Sequence, residues 1–309
     1  MANTNIQILP ESERRKIAEA TKPASAEASS PHIVVEALSK SFAQNGSRVE
    51  VLQEINLSIR QGEFVCLLGP SGCGKSTLIN IIAGLDAPDR GRVLVHGKPV
   101  SKPGVDRIVV FQDAALFPWL TVLGNVEFGP KMRGLPAGER RTKALELIKL
   151  VHLSKFVNAY PYQLSGGMKQ RVAIARALAM DPDMLLMDEP FGSLDAQTRG
   201  MLQRELLDIW QATKKTVLFV THNVREATGL GERVFEISAR PGRIKHTYAV
   251  DLPQPRSNSD PRLLSLQQKI LGSLGEEIAK VMQDETGVPY EREKDGVVAP
   301  PDRALGMHI

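Results

Sequence analysis

The chain is 309 residues long, enough for one large α/β domain with extensions, and carries 39 Lys+Arg against 35 Asp+Glu, a formal net charge of +4. That balance contains no long cationic run, and aromatics are only 5 %, so a base-stacking platform has little to be built from and no nucleic-acid partner is expected. The mixed charge describes an ordinary solvated surface, compatible with nearby anionic lipid, and two cysteines in the whole chain fit a reducing cytoplasm.

Residues 1–31 are polar and lack the apolar core of a signal segment. They are expected to form a flexible extension, with a short helix over 11–20 and an Ala/Ser/Pro linker over 23–31. Strands follow over 33–38, 49–59 and 63–68, the last an unbroken apolar run of the kind buried on both faces of a parallel sheet. A helix takes up after residue 77, strands return over 92–95 and 107–111, and 113–160 is more helical. A helix over 166–180 precedes a strand over 184–187, and 215–220 is another apolar strand. Residues 181–183 and 240–242 carry turn chemistry. Strands alternating with helices mean a mostly parallel sheet covered on both faces. The core runs over 32–252; 253–309 is an extension with one amphipathic helix over 263–282 and a polar, Pro-containing tail. No window of about 18 apolar residues occurs, so no membrane-spanning helix is expected.

The most informative run is Gly69-Pro70-Ser71-Gly72-Cys73-Gly74-Lys75-Ser76-Thr77, which fits G-x-x-x-x-G-K-[ST] between an apolar strand and a helix start. Glycines there let backbone N–H groups turn inward around a polyphosphate, and the helix N-terminus adds positive potential. Lys75 supplies a point charge for the outer phosphates, and Ser76 can ligate Mg²⁺. Cys66 and Cys73 sit in the strand and the loop with no metal-ligand pattern beside them, and fill space. Asp188 and Glu189 end the apolar run 184–187, placing two carboxylates at the C-terminal edge of the sheet, where α/β ligands bind. Asp188 suits the cation that Ser76 also holds, and Glu189 a water attacking the γ-phosphate. Leu164-Ser165-Gly166-Gly167-Met168-Lys169-Gln170-Arg171 makes a second anion-ready helix start, with Ser165 as its cap. One nucleotide does not need both helix ends from one protomer, but two chains packed head to tail can sandwich ATP between them.

The run 164–171 resembles the signature motif of ATP-binding cassette (ABC) ATPases, and further elements of that family follow in order. Gln112 resembles the Q-loop, Ser193-Leu194-Asp195 the D-loop, Thr221-His222 the switch histidine, and Phe42 stands where the adenine-stacking aromatic is found. The likeness spans 33–250; residues 113–123 and 239–244 are similar to nitrate, sulfonate and taurine importer ATPases. It implies a P-loop NTPase of ABC-ATPase type: a mostly parallel sheet core with an antiparallel β subdomain and a helical subdomain over about 113–180. It also implies Mg²⁺-dependent ATP hydrolysis, with Gly69, Pro70, Ser71, Gly72, Cys73, Gly74, Lys75, Ser76, Thr77 and Phe42 holding the nucleotide. Ser165, Gly166 and Gly167 would close on the ATP of the opposite subunit, and Asp195 would help form the dimer joint. Ser76, Gln112 and Asp188 would serve the metal, Glu189 would be the general base, Lys75 would act on the phosphates and His222 would contact the γ-phosphate. The implied partners are integral membrane permease subunits, a second ATPase subunit (in the first instance a copy of the same chain) and, indirectly, a solute-binding protein. The implied place is peripheral, on the cytoplasmic face of the inner membrane. Alternatives are a soluble ABC ATPase outside transport and a catalytically silent regulatory subunit. Leu116, Phe117, Trp119 and Leu120 are expected to include anchors for the permease, the competing possibility being a small local core. Taken alone, Trp119 and Trp210 are assigned to packing or an interface. The chain departs from the family pattern at Asn223, where aspartate is usual, at Ser193, where alanine is frequent, and at Gly229-Leu230-Gly231, which lowers local helix propensity.

Overall fold

The computed structural model describes residues 32–44 and 46–286, so the helix expected over 11–20 and the terminal tail lie outside the described residues. β1 (Ile33–Gln44) and β2 (Ser47–Ile59) pair as an antiparallel hairpin. Both run further toward their shared turn than the sequence indicates, because polar residues there gain ladder hydrogen bonds without being buried. β3 (Phe64–Leu68) is buried along its whole length and leads into α1 (Lys75–Ala83). β4 (Arg90–Val95) and β5 (Lys98–Pro99) complete a four-stranded antiparallel sheet in the order β2-β1-β4-β5.

β6 (Arg107–Val110) returns the chain to the main sheet, followed by α2 (Val122–Met132) and α3 (Ala137–Leu150). Residues 111–121 are therefore an irregular passage, not the start of a helix. α4 (Gly166–Ala179), β7 (Met184–Asp188) and β8 (Thr216–Thr221) follow as expected, with two helices the sequence reading did not place, α5 (Ala196–Thr213) before β8 and α6 (Val224–Leu230) after it. Three strands escaped the sequence reading: the short β5, and in the main sheet β9 (Arg233–Ile237) and β10 (Ile244–Ala249). Of the last two, β9 hides an acidic residue: Glu236 is fully buried, accepting from the Tyr248 hydroxyl at 2.7 Å and the Ser273 hydroxyl at 2.6 Å. Ser273 lies on α7 (Pro261–Thr286).

The main sheet has the order β10-β9-β3-β8-β7-β6. β9, β3, β8, β7 and β6 are parallel, and β10 is an antiparallel edge. Alternation along β3 divides the core in two: Phe64, Cys66 and Leu68 face the cluster containing α4 and α5, while Val65 and Leu67 face the one containing α1, β1 and β2. Trp210 packs edge-on to Phe64, with ring centroids 5.6 Å apart. Both faces are covered, as parallel sheets require. Among the described residues no helix is long and apolar enough to cross a membrane.

Candidate nucleotide site

The phosphate loop joins β3 to α1, and its conformation demands glycine. Gly74 has φ +100°, and a Cβ there would lie 2.7 Å from Leu52 Cδ2 and 3.0 Å from Val51 Cγ1. β2 thus seats directly on the loop. Lys75 is 5 % exposed; its ammonium donates to the carbonyls of Gly69 (3.0 Å) and Pro70 (2.8 Å) and lies 3.7 Å from Glu189 Oε1. A cavity of about 400 Å³ opens above the loop, lined by Phe42, Val51, Ser71, Gly72, Lys75, Ser76, Thr77 and Glu189. Phe42, half-exposed, carries the Lys40 ammonium 5.1 Å from its ring centroid.

Arg240 also lines this cavity, a residue the sequence reading did not single out for the site. Its guanidinium donates to the Gly72 carbonyl at 3.0 Å. Backbone bonds between Gly242 and β2, at 2.8 and 2.9 Å, hold its segment in place.

Asp188 ends β7 beside the loop. Burial pushes its carboxyl above the usual carboxylate range, and the Ser76 hydroxyl donates to it in partial opposition. Its Oδ1 is buried and has no hydrogen-bond partner. A buried carboxylate oxygen without a donor, next to a hydroxyl, fits a hard divalent cation with oxygen ligands. The following residue, Glu189, has φ +47°, a conformation that non-glycine residues adopt mainly where the surroundings enforce it. Its N–H donates to Val220 O at 3.1 Å and its carbonyl accepts from Gly192 N at 3.0 Å, which fixes the bend. The bend brings Glu189 Oε2 to 3.0 Å from His222 Nδ1. His222 leaves the end of β8, where Asn223 caps α6 by accepting from the N–H groups of Arg225 (2.9 Å) and Glu226 (3.2 Å). Asparagine caps as well as aspartate, so that departure keeps the geometry. α6 runs through Gly229 to Leu230. A Cβ on Gly231 would meet Cys66 Sγ at 2.9 Å, so this glycine admits the close approach of the helix end to β3.

The second anion-ready helix start lies elsewhere. Ser165 caps α4, accepting from Met168 N at 3.3 Å. Gly166 lines a separate cavity of about 420 Å³ with Gln112, Lys169, Gln170, Ser193 and Leu194. Gln112 is therefore grouped with the signature helix and the D-loop residues, not with the lining of the phosphate-loop cavity. Asp195 caps α5 through Thr198 N at 2.9 Å. Gln170, inside the signature run but unassigned in sequence, is buried and donates to the carbonyls of Phe111 (3.0 Å), Gln112 (3.2 Å) and Pro190 (2.5 Å). The four apolar residues after Gln112 divide. Leu116 and Leu120 are half-buried, Leu116 against the main core. Phe117 packs at a tilt of 44° against Phe128 with centroids 4.3 Å apart, and Trp119 is 70 % exposed. Phe111, Phe117, Phe128, Arg176 and Met180 line a groove of about 320 Å³.

The sequence profile described as ABC transporter matches residues 52–192. An uncharacterized ABC transporter ATP-binding protein of Methanocaldococcus jannaschii is 55 % identical over 81 % of this chain and 93 % of its own length. The nitrate import ATP-binding protein NrtD of Synechocystis sp. is 46 % identical over 77 % of this chain and 90 % of its own. The aliphatic sulfonates import ATP-binding protein SsuB of Bacillus licheniformis is 46 % identical over 75 % and 90 %. Among solved structures, a dimeric post-hydrolysis state of the ATP-binding cassette MJ0796 with ADP and Pi matches with TM-score 0.63 and 35 % identity, covering 72 % of this chain and all of that one. The phosphate loop, the paired carboxylates and the histidine at one sheet edge agree with these likenesses: the chain belongs to the ABC transporter family and is an ATP-binding ATPase of that family.

Proposed function

We propose that this chain is the ATPase subunit of an import system, working as a head-to-tail dimer against separate membrane permease subunits, peripheral on the cytoplasmic face of the inner membrane. The observation that carries the coupling is Gln170, whose amide joins the Gln112 loop, the turn after Glu189 and the signature helix through three hydrogen bonds. A change at the catalytic strand end then moves the loop that borders the groove of Phe111, Phe117 and Phe128.

In this reading residues 69–77 cradle the phosphates of ATP, Lys75 neutralises the outer ones, and Phe42 and Arg240 flank the nucleotide. Ser76 and Asp188 would hold Mg²⁺, with Gln112 as a further candidate ligand; a bound ion would supply positive charge to offset that developing on the phosphoryl oxygens. Glu189 accepts the proton of the attacking water, with His222 orienting its carboxylate and reaching the γ-phosphate. Ser165, Gly166 and Gly167 complete the partner's site, and Asp195 lies at the joint. The helical subdomain over about 113–180 carries the permease contact. The transported solute is a small anion of the nitrate, sulfonate or taurine kind, a reading supported by the likeness to NrtD and SsuB; a solute-binding protein delivers it.

Trp119→Glu tests the docking. Co-sedimentation with membranes carrying the permease should fall to background, while ATP hydrolysis by the free subunit stays near that of the unsubstituted chain. Loss of both would make Trp119 and its neighbour Phe117 part of the local packing, and loss of neither would put the docking surface elsewhere. Uptake of labelled nitrate or taurine by vesicles containing the assembled system tests the solute class.

A further inference from the structure

The N-terminal edge of the parallel sheet, opposite the nucleotide, gathers three metal-ligating side chains from distant parts of the chain. His32 enters β1, His96 is the first residue of the turn joining β4 to β5, and Asp183 immediately precedes β7. From Asp183 to Asp188, five residues of extended strand span about 16 Å, so this cluster is distinct from the site at the other edge.

The backbone builds it. His96 N donates to His32 O at 2.9 Å, which places the two residues side by side at the end of the antiparallel ladder. His96 (φ +48°) and Gly97 (φ +73°) form a two-residue hairpin turn of the primed type. The two imidazoles stack, with centroids 4.2 Å apart and planes at 26°. Asp183 is held on both sides: its N–H donates to Asp106 O at 2.8 Å and its carbonyl accepts from Thr216 N at 3.2 Å.

His32 is 2 % exposed, and its Nε2 is buried with no hydrogen-bond partner. Its Nδ1 lies 2.8 Å from Thr216 Oγ1, which also accepts from Gly62 N at 3.0 Å. A hydroxyl oxygen has two lone pairs, so it can accept from both N–H groups, leaving the Nε2 lone pair of His32 unused. A buried, unpartnered ring nitrogen needs an explanation. One ligand atom each from His32, His96 and Asp183 falls within 4.8 Å of the other two. His96 Nε2 and Asp183 Oδ2 are 3.3 Å apart, close to the roughly 3.4 Å that separates two ligands of a tetrahedral zinc. His96 and Asp183 are each 47 % exposed, which leaves an entry path and room for a water in the fourth position.

From this arrangement we infer that His32, His96 and Asp183 form a binding site for a zinc-class divalent cation, clamping the antiparallel sheet to the start of β7. Two imidazoles and one carboxylate suit zinc or a neighbouring late transition metal and not Mg²⁺, which prefers oxygen ligands. The hydrogen bond from Nδ1 of His32 to Thr216 then orients the buried ligand.

The test uses the full chain without nucleotide, with Zn²⁺ or Co²⁺ alone as the probe and Mg²⁺ as the control. Zn²⁺ at a hundredfold excess over its dissociation constant should raise the melting temperature by about 4 °C. Co²⁺ should bind one to one with visible d–d absorption. His96→Asn, which puts the preferred Asn-Gly pair in the turn, and Asp183→Asn should each abolish shift and absorption while melting near the unsubstituted chain without metal. His246→Ala, an exposed histidine on the edge strand β10 at the far side of the sheet, should keep both. Absence of a Zn²⁺-dependent shift in the unsubstituted chain, or its survival in both ligand variants, overturns the site and leaves only a His96–Asp183 hydrogen bond.

Discussion

Glu277 ties α7 to the wall of the nucleotide cavity, and its charge should be measurable as stability. The carboxylate is buried; it accepts from Ala239 N at 2.9 Å, Lys245 Nζ at 2.9 Å and Lys280 Nζ at 2.8 Å. Ala239 directly precedes Arg240, which bonds the phosphate loop. Burial alone would raise the carboxyl, but these donors together hold it at about 2, against an ordinary 4.5. That displacement corresponds to about 3 kcal/mol. Lys280 is 62 % exposed and water screens its share, which leaves about 2–3 kcal/mol. Because the folded-state value is depressed, the stabilisation is complete above pH 4.5 and is lost as pH falls toward about 2. Glu277→Gln keeps the shape and removes the charge. Urea denaturation at pH 7 should show it less stable by about 2–3 kcal/mol, and thermal melting lower by roughly 3–5 °C. Between pH 4.5 and 2 the stability of the unsubstituted chain should converge on that of the variant. Equal midpoints at pH 7, or a constant gap across the acid range, would refute the ion-pair account of this helix's docking.

Two further outcomes concern the nucleotide. Glu189→Gln should retain ATP binding, accumulate as an ATP-bound dimer and hydrolyse about 10²–10⁴-fold more slowly in a phosphate-release assay; near-normal turnover would remove Glu189 as the base. Mixing Lys75→Ala with Gly166→Asp chains should restore activity through mixed pairs that keep one intact composite site, and activity per protomer independent of concentration would argue for a monomeric enzyme.

The elements legible in sequence were those whose burial leaves a one-dimensional pattern. β3 is apolar throughout and β8 is apolar between its terminal threonines because both sheet faces are covered, and α4 announces itself by its cap and glycines. β9 and β10 were not legible, since the first buries Glu236, a residue that locally argues against a core strand. Its satisfaction by Tyr248 and Ser273 is purely tertiary. The passage 113–121 was misjudged as helical because its apolar residues lack helical spacing, and Phe117 packs instead on Phe128 and Arg176 from another part of the fold.

The phosphate loop, the Asp188-Glu189 pair and the capped signature helix are written in the chain itself, because each needs particular residues at adjacent positions: glycines where the backbone turns inward, carboxylates where an apolar strand ends. Only the tertiary structure decides that Glu189 meets His222 and Lys75, that Gln112 groups with Gly166, and that Arg240 reaches the loop after a cross-connection to β2. It alone also gathers His32, His96 and Asp183, residues separated by the windings of two sheets. The physical reason is common to all of these. A motif is legible when its atoms are held by neighbours in the chain, and silent when they are held by neighbours in space.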